Sequence, residues 1–162
     1  MYQIDFKMGE YMMSPFSFEE LKSIEREKLG DSVPLELYRA IRLIGMYQGL
    51  PMKGKGTTVT VGKMIGESLT VESIEEALKV FEDLKIGIPT LIEQKENDVL
   101  IRVDDCFCKG LPKKEGHMVC DLEGAILAGA VSKVLDKKVS SREVKCNVNG
   151  DGYCEYEVSI PK

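Results

Sequence analysis

Tryptophan is absent from the 162 residues, and histidine occurs once, at position 117. Acid–base chemistry by imidazole therefore rests on one side chain beside a loop, where a histidine is ordinarily a surface or hydrogen-bonding residue. Positive charge is scarce as well. The formal balance is -5, and Lys113-Lys114 and Lys137-Lys138 are isolated, solvated pairs. A chain that neutralises nucleic-acid phosphates needs a basic patch, so no nucleic-acid partner is expected. Gly54-Lys55-Gly56-Thr57-Thr58 lacks the earlier glycine and the following helix signal of a phosphate loop, and no Ser-His-Asp pattern can be justified. The most apolar run, Leu122 to Leu135, is interrupted by Glu123 and Lys133 and falls short of the roughly 18 residues that span a bilayer. The opening Met1-Tyr2-Gln3-Ile4-Asp5-Phe6 lacks the basic start and apolar core of an export signal. These absences predict a cytoplasmic protein that contacts neither membrane nor nucleic acid, and they nominate no catalytic residue.

What is present is an ordinary globular composition, 43% hydrophobic and 30% charged, in a length that buries roughly 70% of its unfolded surface as one domain. Tyr2, Ile4 and Phe6 alternate with polar residues and predict a short strand. Ser17 to Glu20 has the form of a capping box, opening a helix through Leu21, Ile24 and Leu29 to Gly30. Pro34 starts a second helix, carrying Leu37, Tyr38, Ile41, Ile44 and Met46 to near Gly49. Pro51 to Gly56 is punctuated as a loop, and Thr57 to Val61 reads as a brief strand. Ser68 or Thr70 caps a third helix with Val71, Ile74, Leu78 and Phe81 at helical spacing and a stop at Gly87.

Leu91-Ile92 and Val99 to Val103 flank a polar turn as a hairpin. Leu122 to Leu135 follows as a core helix. Asn149-Gly150-Asp151-Gly152 then turns a second hairpin, whose last strand directs Cys154, Tyr156, Val158 and Ile160 inward. The fold class predicted is α/β in the broad sense, more narrowly α+β. Helices pack on one antiparallel sheet in a single domain, with a helical part over 1–95 and a strand-helix-hairpin part over 96–162.

Five cysteines, at 106, 108, 120, 146 and 154, give an odd count that cannot pair off within one chain, so reduced thiols or metal ligands are expected rather than disulfides. One constellation is Cys120, Glu143, Cys146 and Cys154, a four-ligand set in one short piece of chain. Strict alternation puts Glu143 on the face opposite Cys146, so it joins only if the backbone bulges before Cys146. A second constellation is Cys106-x-Cys108 with His117-x-x-Cys120, although nothing in the sequence ties Cys106 and Cys108 to Cys120. The third reading is plain burial, since free cysteine is among the most buried residue types.

Cys120, the run Glu123-Gly-Ala-Ile-Leu-Ala-Gly-Ala130, Glu143-Val-Lys-Cys146 and Gly150-Asp-Gly-Tyr-Cys154-Glu-Tyr-Glu-Val158 together resemble the vinyl-4-reductase domain family. That family takes in proteins associated with bacteriochlorophyll synthesis, the ligand-sensing domains of bacterial activators that respond to aromatics, and, more distantly, vesicle-transport subunits. The resemblance is specific from about Asp105 to Ile160 and rests on element order before that. It implies a zinc ion held by Cys120, Glu143, Cys146 and Cys154, an apolar ligand cavity, and a homodimer. The sensors' ligand-binding residues cannot be carried onto this N-terminal half, which has no tryptophan.

A four-ligand zinc has no open position and acts structurally. The function expected is therefore a noncatalytic sensor or carrier for a small hydrophobic or aromatic molecule. Met12, Met13, Met46, Met52 and Met64 offer an adaptable lining. Any signalling output would pass through a separate signalling or enzyme partner, or through oligomerisation. The alternative is an enzyme, or an accessory protein, acting on a tetrapyrrole vinyl group, which no redox-cofactor motif supports.

Overall fold

The computed structural model describes residues 16–162, so the strand expected at Tyr2 to Phe6, and Met12 and Met13, lie outside the described residues. Within them, β1 (Ile88–Gln94), β2 (Asp98–Asp104), β3 (Ser140–Lys145) and β4 (Cys154–Ser159) form one antiparallel sheet in the order β1-β2-β4-β3. Register explains the choice of buried face. Val103 lies opposite Cys154, Ile101 opposite Tyr156 and Val99 opposite Val158, and all six are buried. Each large apolar side chain withdrawn from water in this way contributes about 1.5–3 kcal/mol. The expected inward face of the last strand is thus the observed one.

Helix α5 (Asp121–Leu135) lies on that face, and it is buried continuously from Leu122 to Val131 because a second helix, α3 (Lys55–Ser68), covers its other side. The contact is made backbone to backbone. A methyl group on Gly62 would sit 2.6 Å from the Ala125 Cβ, and one on Gly66 would overlap the Ile126 carbonyl. This packing overturns the strand expected at Thr57 to Val61, which lies inside α3. Its β-branched residues favour a strand locally. Tertiary contact prevails, and the Thr58 and Thr60 hydroxyls donate to the Gly54 and Gly56 carbonyls one turn back.

Helix α4 (Ile74–Asp83) sits beside α5 and begins at Ser73, whose hydroxyl accepts the Glu76 N–H, rather than at Ser68 or Thr70. Ser68 instead closes α3 by donating to the Ile65 carbonyl. The helix also stops short of Gly87, which makes a close approach instead: a Cβ there would lie 2.5 Å from the Val103 side chain. The capping box at Ser17 is present, but its helix α1 (Phe18–Leu21) spans one turn, and Ile24 and Leu29 beyond it are exposed. The second helix begins as α2 (Leu35–Arg39) and continues as π-helix over Ala40–Gln48. A short 3-10 turn (Pro51–Gly54) links it to α3, with left-handed φ at Met52, Lys53 and Gly54. Among the described residues no helix is long and apolar enough to cross a membrane.

Candidate metal centre

Three pieces of chain bring five thiols and a carboxylate together. Cys106 and Cys108 leave the end of β2 on a tight loop. The Phe107 N–H anchors it to the Ile86 carbonyl at 3.2 Å, and the Lys109 N–H closes it on the Cys106 carbonyl at 2.8 Å. Arg39 of α2 clamps the loop by donating to the Phe107 and Lys109 carbonyls at 2.8 and 2.7 Å. Cys120 is the N-cap of α5, where the helix dipole favours a thiolate. Cys146 and Cys154 bracket a loop that reverses at Gly150 and Gly152, with φ of 105° and 84°. Asp151 fixes that loop by accepting the Cys146 N–H at 2.9 Å.

Glu143 joins them through the bulge that alternation required. It opposes Tyr156 while Lys145 opposes Glu155, which leaves Val144 as an extra residue and turns Glu143 to the side of Cys146. The carboxyl is buried. One oxygen, Oε2, accepts the Cys120 N–H at 3.0 Å, and the other, Oε1, is buried with no partner. Such an orphaned oxygen is costly unless something else binds it.

The sulfur spacing is that of a metal cage. Tetrahedral metal–thiolate bonds of about 2.3 Å hold sulfurs about 3.8 Å apart. Here Cys106 and Cys120 are separated by 3.8 Å, Cys120 and Cys154 by 3.7 Å, Cys120 and Cys146 by 4.0 Å, and Cys108 and Cys154 by 3.4 Å. All five thiols are free and buried. Cys120, Glu143, Cys146 and Cys154 present ligand atoms within 4.8 Å of one another, and so do Cys106, Cys108, Cys120 and Cys154. The cluster can therefore hold a metal ion.

The first constellation is assembled in space, but the second is corrected. Cys106 and Cys108 do reach Cys120, because the sheet register that pairs Val103 with Cys154 delivers them there. His117 belongs to neither set, and its Nδ1 lies 3.1 Å from the Glu115 carbonyl oxygen.

Without a cation these groups cannot all ionise. Burial, and then the Cys146 charge, pushes the Glu143 carboxyl up to about 10. Burial and then Cys106 push the Cys120 thiol up, Cys106 and Cys108 raise Cys154, and hydrogen bonds from Cys108 and then Cys120 pull Cys106 down. A bound dication would remove this conflict by stabilising every ionised ligand at once. Asn147 Nδ2 also faces the cluster, donating to Cys108 and Cys154 at 3.4 and 3.5 Å.

A buried ion pair beside the cluster was not legible in the sequence. Arg42, in the π-helical segment, donates from Nε and Nη2 to the Glu123 carboxylate at 2.9 and 2.8 Å, and from Nη2 to the Val119 carbonyl at 3.0 Å. The Tyr38 hydroxyl donates to the same carboxylate at 2.9 Å. The one available signal was a charge placed inside each of two apolar helices.

Against the other end of the π-helical segment lies a half-open cleft of about 180 Å³, lined by Leu43, Tyr47, Leu111, His117, Val119 and Val148 among others. Val119 precedes Cys120 and Val148 follows Cys146, so the metal loops form one of its walls. The methionine lining fails where it can be checked against this cleft. Met52 and Met64 are 87% and 59% exposed, and Met46 packs against the core beside Arg42.

Comparison with known proteins places the chain. The vinyl-4-reductase domain family matches residues 99–160. The uncharacterized protein MJ0150 of Methanocaldococcus jannaschii is 30% identical over 139 residues, which cover 82% of this chain and 79% of that one. A crystal structure of a vinyl-4-reductase family protein from M. jannaschii superposes with a TM-score of 0.65 at 20% identity, over 89% of this chain and 88% of that chain. Trafficking protein particle complex subunit 3 of Naegleria fowleri, covalently bound to palmitic acid in its crystal structure, superposes with a TM-score of 0.58 at 13% identity, over 79% of this chain and 93% of that chain.

Proposed function

We propose that this chain, which belongs to the vinyl-4-reductase domain family, is a noncatalytic module that binds a small hydrophobic molecule and is held in shape by structural zinc. The observation that carries the metal half is the unpartnered Glu143 Oε1, buried among three thiols at tetrahedral spacing. Cys120, Glu143, Cys146 and Cys154 would hold the ion, and four protein ligands leave no position for a water or substrate. Zinc would tie the start of α5 to the β3–β4 hairpin, and metal binding adds directly to folding free energy.

The cleft supports the ligand half. Its walls are mainly apolar, Gln48, Lys114 and His117 supply polar groups, and about 180 Å³ is below the roughly 300–1,000 Å³ of drug-sized sites. A single ring or a short chain is the occupant that fits. The palmitic acid bound to the trafficking subunit is consistent with a fold that accommodates apolar guests. Val119 and Val148 would carry occupancy to the metal loops. The exposed Leu37, Ile41 and Ile44 offer an apolar surface for a second copy, which would make the module a homodimer.

A thermal-shift screen with aromatic, terpenoid and tetrapyrrole compounds tests the ligand half. A ligand at 100 times its dissociation constant adds about 2.7 kcal/mol, roughly 5–10 °C for a domain of this size. Filling the cleft with Leu43→Trp should abolish the shift. If only nucleotides or charged metabolites raise the midpoint, the reading is wrong.

A further inference from the structure

One metal ion leaves two of the thiols unexplained. The set containing Glu143 uses Cys120, Cys146 and Cys154, yet Cys106 and Cys108 close an equally compact set on the same two sulfurs, Cys120 and Cys154. Those shared sulfurs are 3.7 Å apart, close to the roughly 3.8 Å edge of a tetrahedron of thiolates around one metal. Two tetrahedra that share an edge have six corners, and five thiols with one carboxylate supply six ligands. We propose that the cluster holds two divalent metal ions bridged by the Cys120 and Cys154 thiolates, one completed by Cys106 and Cys108 and the other by Glu143 and Cys146. The Glu143 half rests on the zinc reading above; the Cys106–Cys108 half is additional.

Three features bear on the second ion. Cys106 and Cys108 are 2% and 0% exposed, so neither is placed to react with solutes. Their loop is held from outside by both Arg39 hydrogen bonds to its carbonyls, the kind of support that fixes ligands around a metal. Asn147 Nδ2 approaches one terminal and one bridging sulfur, Cys108 and Cys154, as a donor to thiolates does. Charge does not oppose the second ion. The second dication enters as Cys106 and Cys108 each release a proton, so the buried cluster keeps the formal charge it has with one metal. Thiolate-rich tetrahedral coordination selects a soft or borderline ion of the zinc class over magnesium or calcium.

The test is metal counting on the reduced, full-length chain after reconstitution with zinc, by native mass spectrometry and elemental analysis. Two metals per chain are expected in the wild type. One is expected in Cys106→Ser/Cys108→Ser and one in Glu143→Ala/Cys146→Ser. A single metal in the wild type that survives the first double variant and is lost from the second overturns the bridged pair and leaves the zinc reading standing. A single metal with the opposite pattern overturns both, as does a chain that takes up none.

Cobalt titration of the wild type reads the same point without any variant. Sulfur-to-cobalt absorption should rise to two equivalents, with an electron paramagnetic resonance signal well below that of two isolated ions because the shared sulfurs couple the spins. Saturation at one equivalent, or two uncoupled ions, overturns the bridge.

Discussion

Replacing Arg42 by methionine isolates the buried pair that fastens the cleft-bearing helix to α5. Arg42 is 2% exposed and its partner Glu123 is fully buried. Burial opposes the guanidinium charge, but the hydrogen bonds and charge of Glu123 outweigh it and hold the group protonated. In Arg42→Met the carboxylate loses two of its three hydrogen bonds and keeps only the Tyr38 hydroxyl. Breaking one side of such a pair costs about 3–5 kcal/mol, which for a domain of this length lowers the melting temperature by roughly 6–20 °C.

Arg42→Met/Glu123→Met removes both charges and leaves the Tyr38 hydroxyl and the Val119 carbonyl short of a partner. It should therefore lose less than Arg42→Met alone, because an apolar replacement of a whole buried pair is often neutral. Thermal unfolding by circular dichroism, with urea titrations to check the slope, completes the double-mutant cycle. Losses that simply add across the two sites, or a loss below about 1 kcal/mol in Arg42→Met, would refute the account of a coupled, desolvated pair.

Other outcomes follow from the same geometry. Gly66→Ala should lose about 1–3 kcal/mol by forcing α3 off α5, measured by urea unfolding, because the atoms it would meet, the Ile126 carbonyl and the Ala130 amide, are backbone and cannot swing aside. Chelation should lower the melting temperature, and the gap between metal-loaded and metal-free protein should widen as pH rises from about 5 to 8. In the metal-free fold, the Glu143 carboxyl is raised from 4.5 to about 10. Its contribution is therefore complete below the unfolded value and is lost as pH climbs towards the folded one. As a metal ligand the same carboxylate stays ionised, so the loaded protein escapes that loss. His117→Ala should leave the metal content unchanged by elemental analysis, since the ring lies outside both ligand sets.

The parts of this protein legible in its sequence are those whose signal is local. The β4 alternation named Cys154, Tyr156, Val158 and Ile160 as the inward face, and all four are buried. The apolar run named α5, and the capping box at Ser17 closes as its spacing implies, with Glu20 Oε2 accepting the Ser17 N–H. What failed depends on contacts between distant residues. Thr57 to Val61 looks like a strand until Gly62 and Gly66 are seen lying on the backbone of α5. Arg42 and Glu123, 81 residues apart, look like ordinary charges until both are buried against each other. Alternation along β3 could not say whether Glu143 faces the thiols, because the bulge at Val144 is set by pairing with β4. Cys106 and Cys108 enter the cluster through the β2–β4 register, which has no signature in their own neighbourhood.

Native mass spectrometry of the chain purified under reducing conditions without added chelator tests the central claim most directly, because one spectrum reports metal, retained small molecule and subunit count. The account predicts zinc bound to each chain and diminished in Cys146→Ser/Glu143→Ala, together with a hydrophobic adduct displaced by Leu43→Trp. A metal-free chain carrying a flavin or a tetrapyrrole would contradict it.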